Sequence, residues 1–329
     1  MDNLTHTLTG VMIARAGLNR VVPRGTLLLA IAANMPDVDV ASWLGGTLTY
    51  LRYHRWLTHG LTLAPALALV PAVLICLLER RWTSFRKIYL VALLGVLSHS
   101  FLDWTNVYGV RMLLPWSSEW LRLDTVNVVD IWIWAILLLG IAAPALSRLV
   151  SSEIGARRPT GRGWAIATLL LLGAYEFGRS LAHDRVIAVL ESRIYAGGLP
   201  RRVAAFPGPG NPARWTGLVE TESAFLLYDY DLLMPFDPAS GRQFYKPENS
   251  PAMEAARQTD TFRVFLDFSK FTLWRVVPAP DGSAMVAAYD LRFGDPSRPG
   301  FVATARLGPG GRVEEEQFSF AGAPVRQPK

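Results

Sequence analysis

Four apolar runs, at residues 61–79, 88–107, 128–147 and 164–182, constrain this chain more than any other feature; each is about 19–20 residues long. That is the length a helix needs to cross a hydrocarbon core. Within lipid only helices and closed barrels satisfy their own backbone hydrogen bonds. Two shorter runs, 4–18 and 22–36, come first. At about 15 residues each they are short for a span and read as tilted helices or a re-entrant pair. The expected fold of this part is an α-helical integral membrane bundle of about six hydrophobic helices.

The composition changes near residue 184. The whole chain of 329 residues is 51% hydrophobic and 18% charged, below the quarter usual for soluble domains, but beyond 184 charges, Pro and Gly become frequent. Residues 184–195 read as a helix, followed by the stretch Pro207-Gly208-Pro209-Gly210-Asn211-Pro212. Short β-branched or aromatic runs then occur at 225–230, 262–268, 273–277, 284–293, 301–307 and 313–320. Turn signals such as Asp281-Gly282 and Gly308-Pro309-Gly310-Gly311 separate several of them, so they read as antiparallel strands and hairpins. The expected division is a transmembrane helical domain over 1–183, a helix and linker over 184–215, and a C-terminal, mainly antiparallel β, extramembrane domain over 216–329. The single cysteine, Cys76, excludes an intrachain disulfide.

The net charge of +6 comes largely from basic residues between apolar runs: Arg15, Arg20 and Arg24; Arg80, Arg81, Arg86 and Lys87; Arg148, Arg157, Arg158 and Arg162. The positive-inside rule places these loops on the cytoplasmic side. If all six runs cross, the N-terminus and the C-terminal domain are extracytoplasmic, in a multi-pass protein of the cell membrane. Basic patches interleaved with exposed aromatics are lacking, so no nucleic-acid partner is expected; membrane lipid is. Trp104, Trp116, Trp120, Trp132 and Trp134 read as interfacial belt aromatics. The first ten residues carry Asp2 and no Lys or Arg, so they lack a signal peptide's basic region and the first apolar run is expected to persist in the mature protein.

Against this background the polar residues stand out. Four of the five histidines lie in the first hundred residues: His6, His54 and His59 in His54-Arg55-Trp56-Leu57-Thr58-His59, and His99 in His99-Ser100-Phe101-Leu102-Asp103. A further motif, Asn34-Met35-Pro36-Asp37-Val38-Asp39, lies between the first two. An Asp at the centre of a membrane helix costs roughly 2.5–3.5 kcal/mol, and the mixture of imidazole and carboxylate suits zinc and similar ions. The topology gathers every one of these motifs near the outer face. His99 and Asp103, four apart, share a helix face. His54 is expected in a loop and His59 in the first turn of the next helix. Asp37 and Asp39 follow Pro36 and are expected in extended chain, where i and i+2 face the same way. Taken singly, the histidine motifs read more readily as hydrogen-bonded pairs or interfacial residues than as ligands, the Asp pair could simply be solvated, and His183 reads as an interface residue.

The run Leu102-Asp103-Trp104-Thr105 through Gly109, with Leu113-Leu114-Pro115, Ser117 and the Pro-Asp-x-Asp and His-Arg-x-x-Thr-His motifs, resembles the YdjM/YfhP-type family of membrane-bound metal-dependent hydrolases. The resemblance covers about residues 1–150. Asn211-Pro212-Ala213-Arg214-Trp215 resembles the longer YfhP-type members. At the level of helical His/Asp clusters the family is similar to zinc-dependent phospholipase C and P1-type nucleases. The resemblance implies metal ligation by His6, Asp37, Asp39, His54, His59, His99 and Asp103, and a less specific match at Asp130.

The residue readings converge on a metal site at the extracytoplasmic face, and the resemblance implies that it serves a metal-dependent hydrolase. It would hold two or three divalent ions, most readily zinc, and act on a phosphodiester or phospholipid-like substrate. Asp39, Arg55 and Asp130 are the candidate catalytic residues; Arg55 would contact a phosphate or anchor to lipid headgroups. The alternative is a non-catalytic membrane protein, either a metal transporter or a scaffold for the C-terminal domain.

Overall fold

A computed structural model describes residues 1–153, 161–195 and 198–320. Arg157 and Arg158, used above to orient a loop, lie outside them. The N-terminal half is helical: α1 (Asn3–Arg15), α2 (Gly25–Ala32), a 3₁₀ segment (Pro36–Gly45), α3 (Thr47–Tyr53), a 3₁₀ turn (Leu57–His59), α4 (Ala64–Glu79), α5 (Phe85–Thr105), α6 (Ile131–Glu153) and α7 (Gly161–Glu191). Among the described residues, two helices, Trp82–Thr105 and Gly161–Glu191, are long and apolar enough to cross a membrane. The count rises to four if two bent pairs are each one span. Six crossings are thus not what helix length alone gives.

The bends matter for the site. Helix α2 meets the Pro36–Gly45 segment at 44°, and the Thr47–His59 stretch meets α4 at 79°. Pro36 starts the 3₁₀ segment at a position where its missing N–H costs nothing. Asp37 and Asp39 are therefore helical, not extended as the preceding Pro36 suggested, and they meet opposite ring nitrogens of His59. Glycines bring the helices together. A Cβ on Gly10 of α1 would lie 2.5 Å from the Leu29 carbonyl oxygen of α2, and one on Gly95 of α5 would lie 2.7 Å from Ala32 Cβ. Helix α2 is thus gripped by α1 and α5 at near-backbone contact, the close approach that small residues permit in membrane bundles.

The C-terminal half is two four-stranded antiparallel sheets. The first runs β1 (Arg202–Pro207), β2 (Arg214–Glu220), β3 (Ala224–Asp231) and β4 (Arg242–Tyr245); the second runs β5 (Thr272–Pro278), β6 (Ala284–Asp290), β7 (Phe301–Leu307) and β8 (Val313–Phe320). Between them lie α8 (Pro251–Arg257) and α9 (Asp260–Phe268). The run 262–268, read above as a strand, is α9. Thr259 accepts from the Phe262 N–H as N-cap, and Phe262, Phe265 and Phe268 recur every three residues to bury one face. The boundary at 184 also shifts, because α7 continues unbroken to Glu191, and β1 and the start of β2 occupy the stretch read as linker. The linker reading followed its Pro and Gly content, but their turn residues only separate the two strands.

The two halves share a core. Tyr108 and Trp120, from the connection between α5 and α6, pack with Phe262, Phe265, Phe268 and Phe318, and Leu51 of α3 joins them. Trp120 is therefore a core residue, 5% exposed, whereas Trp116 is 80% exposed.

Candidate metal centre

Residues from five separate elements meet at one buried point. His6 is placed by the first turn of α1, which Asp2 caps by accepting the Thr5 N–H at 3.0 Å. The Pro36–Gly45 segment supplies Asp37 and Asp39, the C-cap of α3 supplies His54, and the Leu57–His59 turn supplies His59. Helix α5 presents His99 and Asp103 one turn apart. The side chains of His6, His59, His99 and Asp103 are 0% exposed, and that of Asp37 is 11% exposed.

Asp37, His59, His99 and Asp103 form one group with every donor atom within ligating reach of the others. His59 Nε2 lies 3.2 Å from Asp103 Oδ2 and 3.5 Å from Asp37 Oδ1; His99 Nε2 lies 3.3 Å and 3.5 Å from the same two oxygens. The two Nε2 atoms are 3.1 Å apart. A tetrahedral ion with ligand distances of about 2.0–2.1 Å would set donor–donor edges of about 3.3–3.4 Å.

The tautomers say why these atoms face one another. His99 Nδ1–H donates to the Ala33 carbonyl at 2.7 Å. The Thr58 hydroxyl spends its single proton on Asp39 Oδ2 at 2.8 Å, so its contact with His59 Nδ1 at 3.1 Å requires that nitrogen to carry the proton. With both imidazoles neutral, the two Nε2 atoms turn lone pairs toward each other and toward two carboxylates, an arrangement that a bound cation or a shared proton makes favourable. Asp103 Oδ2 and both ring nitrogens of His6 also lack a hydrogen-bond partner among the described residues. His6 stacks on His99 with ring centroids 3.6 Å apart, and its Nε2 is 3.4 Å from Asp103 Oδ1. Three carboxylates, Asp37, Asp39 and Asp103, face the Arg55 guanidinium and the Met1 nitrogen, which contacts Asp103. The excess is negative, as a divalent ion requires.

Asp39 sits one layer out. Its oxygens accept from His54 Nδ1–H at 2.9 Å, the Arg55 N–H at 2.8 Å, the Thr58 hydroxyl at 2.8 Å, and His59 Nδ1–H at 3.1 Å. Asp37, Asp39 and His54 lie within ligating reach of one another as a second group, but those hydrogen bonds already occupy Asp39. This is the carboxylate–histidine arrangement that orients a ligand and fixes its tautomer.

Arg55 is 2% exposed and so does not reach lipid headgroups. One guanidinium nitrogen lies 3.0 Å from Asp103 Oδ1; another donates to Asn106 Oδ1 and the Gly109 carbonyl, both at 3.1 Å. Its flat face covers the Tyr108 ring at 4.7 Å. Burial pushes the Tyr108 hydroxyl above its ordinary value, the nearby Arg55 charge opposing, and that hydroxyl has no partner among the described residues. Asp130 is not in the cluster. Its carboxylate accepts from the Trp132 and Ile133 N–H groups at the start of α6 and from the Tyr175 hydroxyl. His183 contacts Asp184 at 3.4 Å on α7.

Sequence reasoning missed the amides. Asn3 donates to Asp37 Oδ2 at 2.9 Å and to Asn34 Oδ1 at 3.3 Å, and Asn34 donates to the Thr7 hydroxyl at 2.8 Å. Asn106 Oδ1 accepts from Arg55 and from the Tyr108 N–H at 2.9 Å. Asn3 and Asn34 border the histidine and aspartate motifs, which was the available signal.

Residues 1–186 match the family described as YdjM inner membrane protein. A curated relative, the uncharacterised protein YfhP of Bacillus subtilis (strain 168), is 25% identical over 334 residues, covering 94% of this chain and 91% of the relative. No solved structure matches the chain.

Proposed function

The chain belongs to the YdjM inner membrane protein family, and we propose that it is a membrane-bound, metal-dependent hydrolase acting on a phosphodiester or phospholipid-like substrate. The observation that carries this reading is the convergence of His59 and His99, their Nε2 atoms 3.1 Å apart, on the carboxylates of Asp37 and Asp103. Asp37, His59, His99 and Asp103 would hold the ion, His6 being the nearest additional donor. The His/Asp set and its spacing favour zinc. When bound, such an ion activates water and polarises a phosphoryl oxygen.

The chain's own residues have separable tasks. Asp39 orients His54 and His59, and the Ala33 carbonyl orients His99. Arg55 offsets the charge of Asp103 and fixes the chain between Asn106 and Gly109, a positioning role in place of a phosphate contact. Burial of the histidines excludes bulk water, leaving Asp37 and Asn3 as the polar edge through which substrate would be reached. We further propose the six-crossing topology, with the N-terminus and β domain outside. The separation of the His/Asp cluster from the Arg-rich helix ends supports it.

A metal transporter is the second reading, favoured by the two helix pairs broken near the cluster. Metal-loaded protein, purified in detergent and given phosphodiester and phospholipid substrates, separates the two. The hydrolase reading expects product release that a chelator stops and that Asp103→Asn lacks. Metal-loaded protein inert across the panel, with metal flux in proteoliposomes, would overturn it.

A further inference from the structure

At the other end of α1 from His6, nine residues and about 13 Å away along the axis, two cavities adjoin. The first, about 350 Å³, is lined by Arg15, Asn19, Arg20 and Arg162, closed on one side by Pro144 of α6. The second, about 520 Å³, is lined by Ile13, Leu18, Val21 and Leu169. Arg20 and Arg162 border both. Together they make one cleft that is cationic at one end and apolar at the other.

The cations in it are not spent on protein carboxylates. Arg24, in the same basic cluster of the sequence, pairs with Glu79 at 2.5 Å. Arg15, Arg20 and Arg162 have no carboxylate partner among the described residues. Arg162 is held in place by donating from Nε to the Ala16 carbonyl at 2.9 Å. It lies over Gly17, whose φ of +149° is a conformation that side-chain-bearing residues rarely adopt, and where a Cβ would come within 3.5 Å of Arg162 Nε. The chain thus fixes one guanidinium by its Nε at a cavity that Arg15 and Arg20 also line. Three like charges around one cavity repel unless an anion lies between them, and guanidinium groups bind phosphate with two parallel hydrogen bonds.

We propose that this cleft binds an anionic phospholipid, its phosphodiester headgroup among Arg15, Arg20 and Arg162 and its acyl chain along Ile13, Leu18, Val21 and Leu169. Basic pockets at the ends of membrane helices are a known setting for such headgroups. The adjoining apolar limb, with Val21 54% exposed, suits a lipid over a soluble phosphate compound. The site lies at the opposite end of α1 from the metal centre and does not depend on the hydrolase reading.

Native mass spectrometry of the full chain in detergent tests this, with phosphatidylglycerol, phosphatidylcholine and inorganic phosphate added separately. Phosphatidylglycerol should be retained at about tenfold lower concentration than phosphatidylcholine. The combined Arg15→Gln, Arg20→Gln, Arg162→Gln variant should lose that preference, whereas Arg24→Gln, already paired with Glu79, should keep it. If the triple variant does not fold, Arg20→Gln alone, at an exposed residue, should weaken retention measurably. Equal retention of the two lipids, an unchanged preference in the Arg15, Arg20 and Arg162 variants, or retention of inorganic phosphate equal to that of phosphatidylglycerol would overturn the assignment.

Discussion

His59 and His99 each have one ring nitrogen committed to a protein acceptor, and this turns a list of polar residues into a candidate metal centre. Remove the acceptor and the imidazole is free to rotate or change tautomer. Asp39→Asn makes the cleanest test, because it keeps the four ligating groups but offers His54 and His59 a weaker acceptor. Metal affinity, measured by competition with a chelator, should fall about 10–100-fold with the helical content unchanged. An unchanged affinity would remove Asp39 from any orienting role. At this scale the sequence was informative about residue type: each candidate ligand is a His or Asp conspicuous in apolar surroundings. It was silent about the layer behind them. Asn3, Asn34, Asn106 and the Ala33 carbonyl are ordinary in composition, and only the packed helices show what they bond. The headgroup reading of Arg55 fails for a similar reason. An arginine at a helix boundary usually faces headgroups, but this one adopts a φ of +57° that turns its side chain inward beneath Tyr108.

Helices α1, α2 and α5 set the site by how closely they approach. Gly95 lies one turn before His99, and its missing side chain lets α5 come near enough to α2 for His99 to reach Ala33. Gly95→Val should therefore push α5 outward and break that hydrogen bond. The expected outcome is a metal affinity lower by about tenfold or more, together with a lower melting temperature, both read on purified protein. The apolar runs announced most of these helices, but not their breaks. The bend after α2 follows from Pro36 at the head of a new 3₁₀ segment, a cue visible in the sequence but read as a helix end leading into extended chain. Helix α9 shows the opposite error. Its Phe-rich composition suggested a strand, whereas the spacing of Phe262, Phe265 and Phe268 and the cap at Thr259 specify a helix. Phe265 is fully buried, so Phe265→Ala should cost about 3–5 kcal/mol in denaturation of the β domain.

Across the whole molecule, the β domain and the candidate metal centre meet at the connection between α5 and α6. Arg292, beside β6, pairs with Asp290 at 2.6 Å and donates to the carbonyls of Val107 at 3.2 Å and Phe268 at 2.9 Å. Tyr108, next in sequence to Val107, lies under Arg55, which contacts Asp103. Arg292→Ala would leave Asp290 buried without its partner, at a cost of about 3–5 kcal/mol, and should lower metal occupancy as well as stability. A loss of stability with full metal occupancy would show that the domain only rests on the bundle. The composition break near residue 184 suggested two domains, and the secondary structure supports a helical half and a β half. What composition lacks is the long-range packing of Tyr108 and Trp120 into the second half's core. The central claim is that Asp37, His59, His99 and Asp103 hold a divalent ion, and elemental analysis of detergent-purified protein after metal supplementation tests it most directly. The account predicts at least about one tightly held ion per chain in the natural sequence, and near-complete loss in folded His99→Ala and Asp103→Asn variants. A natural-sequence protein that retains no metal, or variants that retain as much as it does, would contradict the account.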